Sequence, residues 1–371
     1  MIHTAAAKNV SARRAPRARR NCSRGARAFV GSGHIKGDSI AKWRHVQFAM
    51  MVAQAPVVPL VPLMLPSRMP SIEASLTLLP TDERNPPTTQ PVEGARAISR
   101  DSDFWEMHQQ LERLGRGCYG CVLRARVLSS GDHVAVKVVS SAPRDGEDAS
   151  PLREPELLQA ARHPHVISLL DIFQSPTTLF LVQEAACCDL LAYAARKPGQ
   201  VLSEAECCKH CAGVLSALHH IHSLRIVHRD VKATNVLRTF DGDVRLADFG
   251  LATRLPDDGL LTSVCGTHDY LAPEMIRCGH GDLEGYGTSV DMWGAGLLLF
   301  SLLCGGNPFE RDTDIATLQA ILAGALDFPS EATISWSAQE FIRKLLTTDP
   351  DLRLTAKLAL NEAWLEVGTR P

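Results

Sequence analysis

Apolar and polar positions change period several times along the 371 residues, and each change marks an element. From Cys121 to Val127, and again through HVAVKVV (133–139), a period of two predicts strands. In the second run the alternation sets Ala135 and Lys137 on one face and Val134, Val136 and Val138 on the other. The stretch SPLREPELLQAARHPHVISLLDIF predicts a short helix and then a buried strand, and LFLVQEAACCDLL (179–191) a buried strand running into a linker. Cys208, Cys211, Leu215 and Leu218 recur at helical spacing behind Ser203 and Glu206, which read as a capping box. VDMWGAGLLLFSLLCGG is apolar all round and too short to cross a bilayer comfortably, so it predicts a helix buried at the centre of a helical unit. Between these helices, Val236–Arg238 and Val244–Leu246 predict the strands of a hairpin. Asp241-Gly242 favours a two-residue turn because both residues tolerate positive φ, and pairing about that turn sets Asn235 opposite Asp248.

No sustained period runs through residues 1 to about 100, so the folded part is expected to begin near Phe104 after a largely disordered extension over 1–103. Residues 1–50 carry eleven Lys and Arg against one acid, Asp38, while the whole chain has a net charge of −2. That balance gives no global pull toward nucleic acid, and none is expected as a partner. The Arg-rich start reads as a solvated tail, an organellar targeting segment, or a nuclear-import or polyanion-binding cluster. The apolar stretch that follows is no membrane span, because Pro56, Pro59, Pro62 and Pro66 interrupt it. Its spacing suits a polyproline II ligand for a proline-motif-binding partner, or a linker. The eleven cysteines fall mostly within apolar patterns and read as reduced thiols of an intracellular, cytoplasmic or nuclear protein. Zinc at Cys208 and Cys211 would need further ligands from His210, His219, His220 or His222, and buried structural cysteines are the plainer reading.

Candidate chemistry clusters in three places. In LGRGCYGCV, Gly115, Gly117 and Gly120 let backbone amides approach a phosphate, with Cys118 a candidate reactive thiol in the same loop. Lys137 follows on its strand. The string HRDVKATNVLRTFDGDVRLADFG (228–250) then brings Asp230, Asn235 and Asp248 together, oxygen-bearing side chains that suit a hard cation such as Mg2+.

This string resembles the catalytic and metal loops of eukaryotic protein kinases in His228-Arg229-Asp230, Lys232, Asn235 and Asp248-Phe249-Gly250, and the resemblance covers roughly residues 104–366. It implies an α+β, bilobal kinase fold, with a small β-rich lobe over 104–184 and a larger helical lobe over 187–366. It also implies ATP and Mg2+ as cofactors and protein substrates as partners. Leu114, the three glycines, Val122, Ala135 and Lys137 would hold ATP, and Glu154 would pair with Lys137. Gln183 would stand at the back of the pocket, Glu184 and Ala186 would offer backbone groups to adenine, and Asp189 would meet the ribose. Asp230 and Lys232 would be catalytic, and Asn235 and Asp248 would hold the metal. Pro155 departs from the pattern: the helix either starts there or is distorted by it, and Glu156 is the second candidate partner for Lys137. Gly266, Thr267, Tyr270 and Ala272-Pro273-Glu274 resemble an activation segment, with Ser263 or neighbouring Thr262 as its phosphosite for an upstream kinase. Asp291 matches the buried acid that ties to the catalytic loop backbone, and Arg353 the partner of Glu274. Lys232 with Thr267 resembles serine/threonine rather than tyrosine kinases, of the calcium/calmodulin-kinase-like or the sterile-20-like group. Glu154-Pro155 and Gln183 motivate the alternative of a catalytically weak pseudokinase scaffold.

Overall fold

The computed structural model describes residues 92–117, 120–141, 152–330, 332 and 334–368. The basic and proline-rich stretches of the first ninety residues, with the proposed ligand motif at 56–66, and Cys118 lie outside the described residues.

The alternating runs become strands. β1 (Arg96–Ala97), β2 (His108–Gly117), β3 (Gly120–Val127), β4 (His133–Ser140), β5 (Leu169–Gln174) and β6 (Thr178–Glu184) form one sheet in the order β1-β5-β6-β4-β3-β2. Every pairing is antiparallel except that of β1 with β5. One face carries Ala125, Val134, Val136, Phe173, Phe180 and Val182, packed on Phe104 of helix α1 (Asp101–Met107). Phe104 stacks on Phe180 with ring centroids 4.2 Å apart. Lys137 and Ala135 stand on the opposite face, as the alternation requires.

Regular structure begins ahead of Phe104, the expected start. Val92 is buried and its N–H donates to Gln174 Oε1 at 2.9 Å, and Arg96–Ala97 adds the parallel strand on the β5 edge. Asp101 accepts from Ser175 and Thr178 hydroxyls at 2.5 and 2.8 Å. Two strand residues are too short a run to show a period in the sequence.

Helix α2 (Arg153–Ala160) lies between β4 and β5 in the small lobe, and the linker after β6 leads to the helical lobe, which contains α3 (Leu190–Ala194), α4 (Glu204–Ser223), α5 (Pro273–His280) and α6 (Ser289–Cys304), followed by α7 (Asp314–Ala323) and α8 (Trp336–Leu345). The Ser203–Glu206 capping box is formed at the start of α4. Cys207, Cys208 and Cys211 turn into the core, and among the described residues no group of three His, Cys, Asp or Glu could hold a metal ion. α6 is buried along nearly its whole length.

After the short strands β7 (Cys188–Asp189) and β8 (Ile226–Val227), the hairpin strands β9 (Val236–Arg238) and β10 (Val244–Leu246) form where expected, but their register differs by one residue. Val244 faces Arg238 and Leu246 faces Val236, and Thr239 N–H donates to Asp243 O at 2.8 Å, leaving a three-residue loop. Gly242 takes its left-handed position at φ 91°, and the Thr239 hydroxyl bonds the Asp241 carboxylate inside the loop. The shift sets Asn235 opposite Ala247, whose N–H donates to Asn235 O at 2.8 Å, and carries Asp248 one position beyond.

Candidate active site

On the sheet face turned toward the helical lobe, Lys137 Nζ reaches both carboxylate oxygens of Glu154 at 2.7 Å and Asp248 Oδ1 at 2.7 Å. Lys137 and Glu154 are both buried. Burial works against the ammonium, but the two carboxylates beside it outweigh burial and hold the Lys137 pKa above the usual lysine value. Desolvation likewise pushes Asp248 up, and the Lys137 ammonium overcomes it and leaves the carboxyl below its ordinary range. Three charged groups from β4, α2 and the strand-to-loop junction after β10 are thereby locked together.

Pro155 does not prevent this. α2 starts at Arg153, so Pro155 lies in its first turn, where backbone N–H groups have no intrahelical acceptor to lose. The helix therefore begins neither at Pro155 nor at Pro151, and it runs without distortion past Glu154. Glu156, the second candidate, is exposed and makes no contact with Lys137.

Across the cleft, the loop after β8 (Ile226–Val227) holds Asp230 with three donors. Oδ1 accepts from the Thr267 hydroxyl at 2.8 Å, and Oδ2 accepts from Asn235 Nδ2 and Lys232 Nζ, each at 2.8 Å. Lys232 Nζ also donates to Thr267 Oγ1 at 2.6 Å, closing a triangle. The loop backbone is fixed from below: Asp291 of α6 accepts from the N–H groups of His228 and Arg229 at 2.9 and 2.8 Å. Hydrogen bonding to His222 and its neighbours overcomes burial and holds the Asp291 pKa down. Arg353 clamps Glu274 through two bonds, 2.6 and 2.9 Å, as expected.

The structure brings Asp230 and Asn235 into direct contact, and Lys137, Glu154 and Asp248 likewise. It does not set Asn235 opposite Asp248, because of the hairpin register. Asn235 Nδ2 bonds both the side chain and the carbonyl of Asp230, so its Oδ1 is left as the free oxygen. In the glycine loop, Gly120 has a second reason to lack a side chain: a Cβ there would come within 1.8 Å of the Val138 carbonyl oxygen. Leu114 is exposed, Val122 lies across from Lys137, and Asp189 caps α3 by accepting from Ala192 N–H at 2.7 Å. Glu184 accepts from Ser168 N–H at 2.8 Å, while Ala186 sits half-buried in the linker. Arg229 Nη1 donates to Ser263 Oγ at 2.9 Å, and Thr262 beside it is exposed. Of two further arginines near this segment, Arg254 donates to Leu224 O at 3.2 Å and Arg225 to Pro256 O.

Two positioning residues carried no signal of these roles in the sequence. His222 bonds Asp291 across 69 residues and Tyr286 meets Arg229 across 57, separations that no local period reports.

The family description "Protein kinase domain" matches residues 108–365. The chain is 35% identical over 283 residues to the liver/testis phosphorylase b kinase gamma catalytic chain of Mus musculus, covering 72% of this chain and 69% of that one. It is 33% identical over 267 residues to myosin light chain kinase A of Dictyostelium discoideum (70% and 88%), and 33% over 273 residues to calcium/calmodulin-dependent protein kinase type 1B of Homo sapiens (72% and 77%). The chain belongs to the protein kinase family. Within it, these relatives make the protein a serine/threonine kinase of the calcium/calmodulin-kinase-like kind, one of the two groups that its sequence resembles.

Proposed function

We propose that the protein transfers the γ-phosphoryl group of ATP to serine and threonine hydroxyls of protein substrates. The observation that carries this reading is the Asp230 carboxylate, held by Thr267, Asn235 and Lys232 at the cleft between the lobes. In that position Asp230 orients the acceptor hydroxyl and takes its proton, and Lys232 offsets charge on the phosphoryl group in flight. Leu114, Gly115, Gly117, Gly120, Val122 and Ala135 enclose the nucleotide. Lys137, kept charged and aimed by Glu154, meets its phosphates, with Glu184, Ala186 and Asp189 toward base and ribose. The donor set fits Mg2+: Asn235 Oδ1 and the part-exposed Asp248 carboxylate are hard oxygens, and the hydrogen bonds to Asp230 fix which end of the Asn235 amide is offered. When bound, Mg2+ would neutralise charge on the phosphates.

The test is transfer of labelled phosphate from ATP to serine- and threonine-containing peptides. Asp230→Asn should lower kcat by about 100- to 10,000-fold with nucleotide affinity nearly unchanged, because the base acts in the chemical step. Turnover by Asp230→Asn equal to that of the native protein would refute the assignment. Absence of turnover in the native protein, with nucleotide still bound, would favour the scaffold reading.

Ser263 is, on this reading, the site of an activating phosphate placed by an upstream kinase, with Thr262 the alternative. Its hydroxyl already accepts from Arg229, next to the catalytic aspartate, so added charge would strengthen an existing contact. With Arg254 directed to Leu224 O and Arg225 to Pro256 O, Arg229 is the guanidinium that contacts Ser263. Phosphatase treatment and Ser263→Ala should each reduce kcat. Full activity after phosphatase treatment and in both Ser263→Ala and Thr262→Ala would instead assign the negative charge to Asp257 and Asp258.

A further inference from the structure

We propose that His163 is a positioning residue for the catalytic cleft: as a neutral imidazole it shapes the turn that grips β10 and so places Asp248, and its protonation releases that grip. The inference rests on the reading of Asp248 as a metal-holding residue in phosphoryl transfer.

His163-Pro164-His165 lies in the turn between α2 and β5. His163 Nδ1 accepts from the His165 N–H at 3.1 Å, so the neutral ring carries its hydrogen on Nε2, which donates to Ser216 Oγ of α4 at 3.3 Å. A side-chain acceptor that bonds the N–H two residues on is the arrangement asparagine makes in an Asx-turn. The turn shaped in this way holds β10. His165 Nδ1 donates to Val244 O at 3.0 Å, His165 O accepts from Leu246 N–H at 2.8 Å, and Leu246 O accepts from Ile167 N–H at 2.9 Å. Gly213 makes room for the contact on α4, where a Cβ would come within 2.6 Å of Val244 and 3.0 Å of His165 Nδ1. Asp248 lies just beyond Leu246, and Ala247 between them donates to Asn235 O.

Protonation puts a hydrogen on His163 Nδ1 facing the His165 N–H, donor against donor, and the turn loses the bond that shapes it. The groups around the ring also oppose a positive charge. His220 of α4 stacks on it with ring centroids 4.9 Å apart, and His165 lies 5.8 Å away in the same turn. His219 on α4 and Arg245 on β10 act on it as well, and Arg162, beside it in the chain, is exposed. Arg245 is itself paired with Glu184 of β6 at 3.4 Å. Burial first, and then His220, His165, Arg245 and His219, hold the His163 pKa below the ordinary histidine value. The folded protein therefore takes up this proton less readily than the unfolded chain. The grip on β10 is complete above about pH 6.5 and is lost as pH falls through the lower, folded value.

The test is kcat against pH, read as the ratio of variant to native so that protonation of Asp230 and of the nucleotide, common to both, cancels. Asparagine offers an oxygen to the His165 N–H and an amide to Ser216, and it does not titrate. His163→Ala, which lacks both bonds, should lower kcat at about pH 7.5 by about threefold or more, and His163→Asn should restore it to within about twofold. As pH falls to about 5.5, the ratio of His163→Asn to native should rise by at least about twofold. Amide hydrogen exchange at Leu246 and Ile167 reads the grip without turnover. Corrected for the intrinsic rate, both amides should lose protection in the native protein at the lower pH and keep it in His163→Asn. A flat ratio across this range, or protection that falls equally in both proteins, overturns the role of His163 and leaves the kinase reading intact. Absence of turnover in the native protein at every pH overturns the kinase reading, and the exchange data then decide alone whether His163 holds β10.

Discussion

At the scale of single residues, His210 on α4 contributes to the acid sensitivity of the fold. The side chain is buried, and among the described residues neither ring nitrogen has a hydrogen-bond partner. Burial, helped by Arg238 and Lys209 and opposed by Glu206 and Asp243, brings its pKa down to about 4. In the unfolded chain the imidazole titrates near its ordinary value of about 6.5. Between those two values the unfolded chain binds the extra proton and the folded one does not. Stability from this group is therefore fully present above about pH 6.5 and is lost as pH falls toward about 4, with a slope approaching 1.4 kcal/mol per pH unit. His210→Leu is expected to flatten the slope of unfolding free energy over that window, measured by denaturant titration at several pH values. A slope unchanged from the native protein would show that His210 is not its source. Asp248 and Arg229 carry a different residue-scale load, since both hold left-handed backbone at φ 62° and 67° on either side of the cleft loops. Such conformations persist where surrounding contacts over-determine them, here the Lys137 and Asp291 bonds.

At the scale of elements, α2 shows how one position decides what a proline does. With Pro155 in the first turn the helix loses no hydrogen bond, so Pro155→Ala should leave kcat/KM within about twofold of the native value. Glu154→Gln should lower it by at least about tenfold through the lost ion pair, and Glu156→Gln should have no effect. Steady-state kinetics on the three variants checks this; a large gain from Pro155→Ala would mean that the helix is strained after all. The sequence pattern was enough to place the strands of the hairpin and to find Asp230, Asn235 and Asp248, because alternation and motif spacing are local. It was not enough to set the register, since the choice between a two- and a three-residue loop turned on Thr239 bonding into the turn. Where α2 starts was hidden for a similar reason: Arg153 follows no capping side chain, and the burial of Glu154 against Lys137 is a contact with another element.

At the scale of the whole molecule, charged ties cross between the two lobes from Lys137 to Asp248 and from Glu184 to Arg245, with Lys137 held in turn by Glu154 within the small lobe. The division into a sheet lobe and a helical lobe was legible from the switch in period. The start of the sheet lobe was not, because β1 has no sequence signature of its own. That short strand has a consequence beyond completing a core. β5 would otherwise present an open row of backbone donors and acceptors, the kind of template on which a second chain can add a strand and begin to aggregate. Arg96–Ala97 occupies that row with only two residues, and Arg96 sets a guanidinium against Asp171 at 3.2 Å and over the Phe173 ring. A brief, charged edge is a poor surface for further strand addition, so the segment just ahead of the catalytic domain guards the sheet against its own copies.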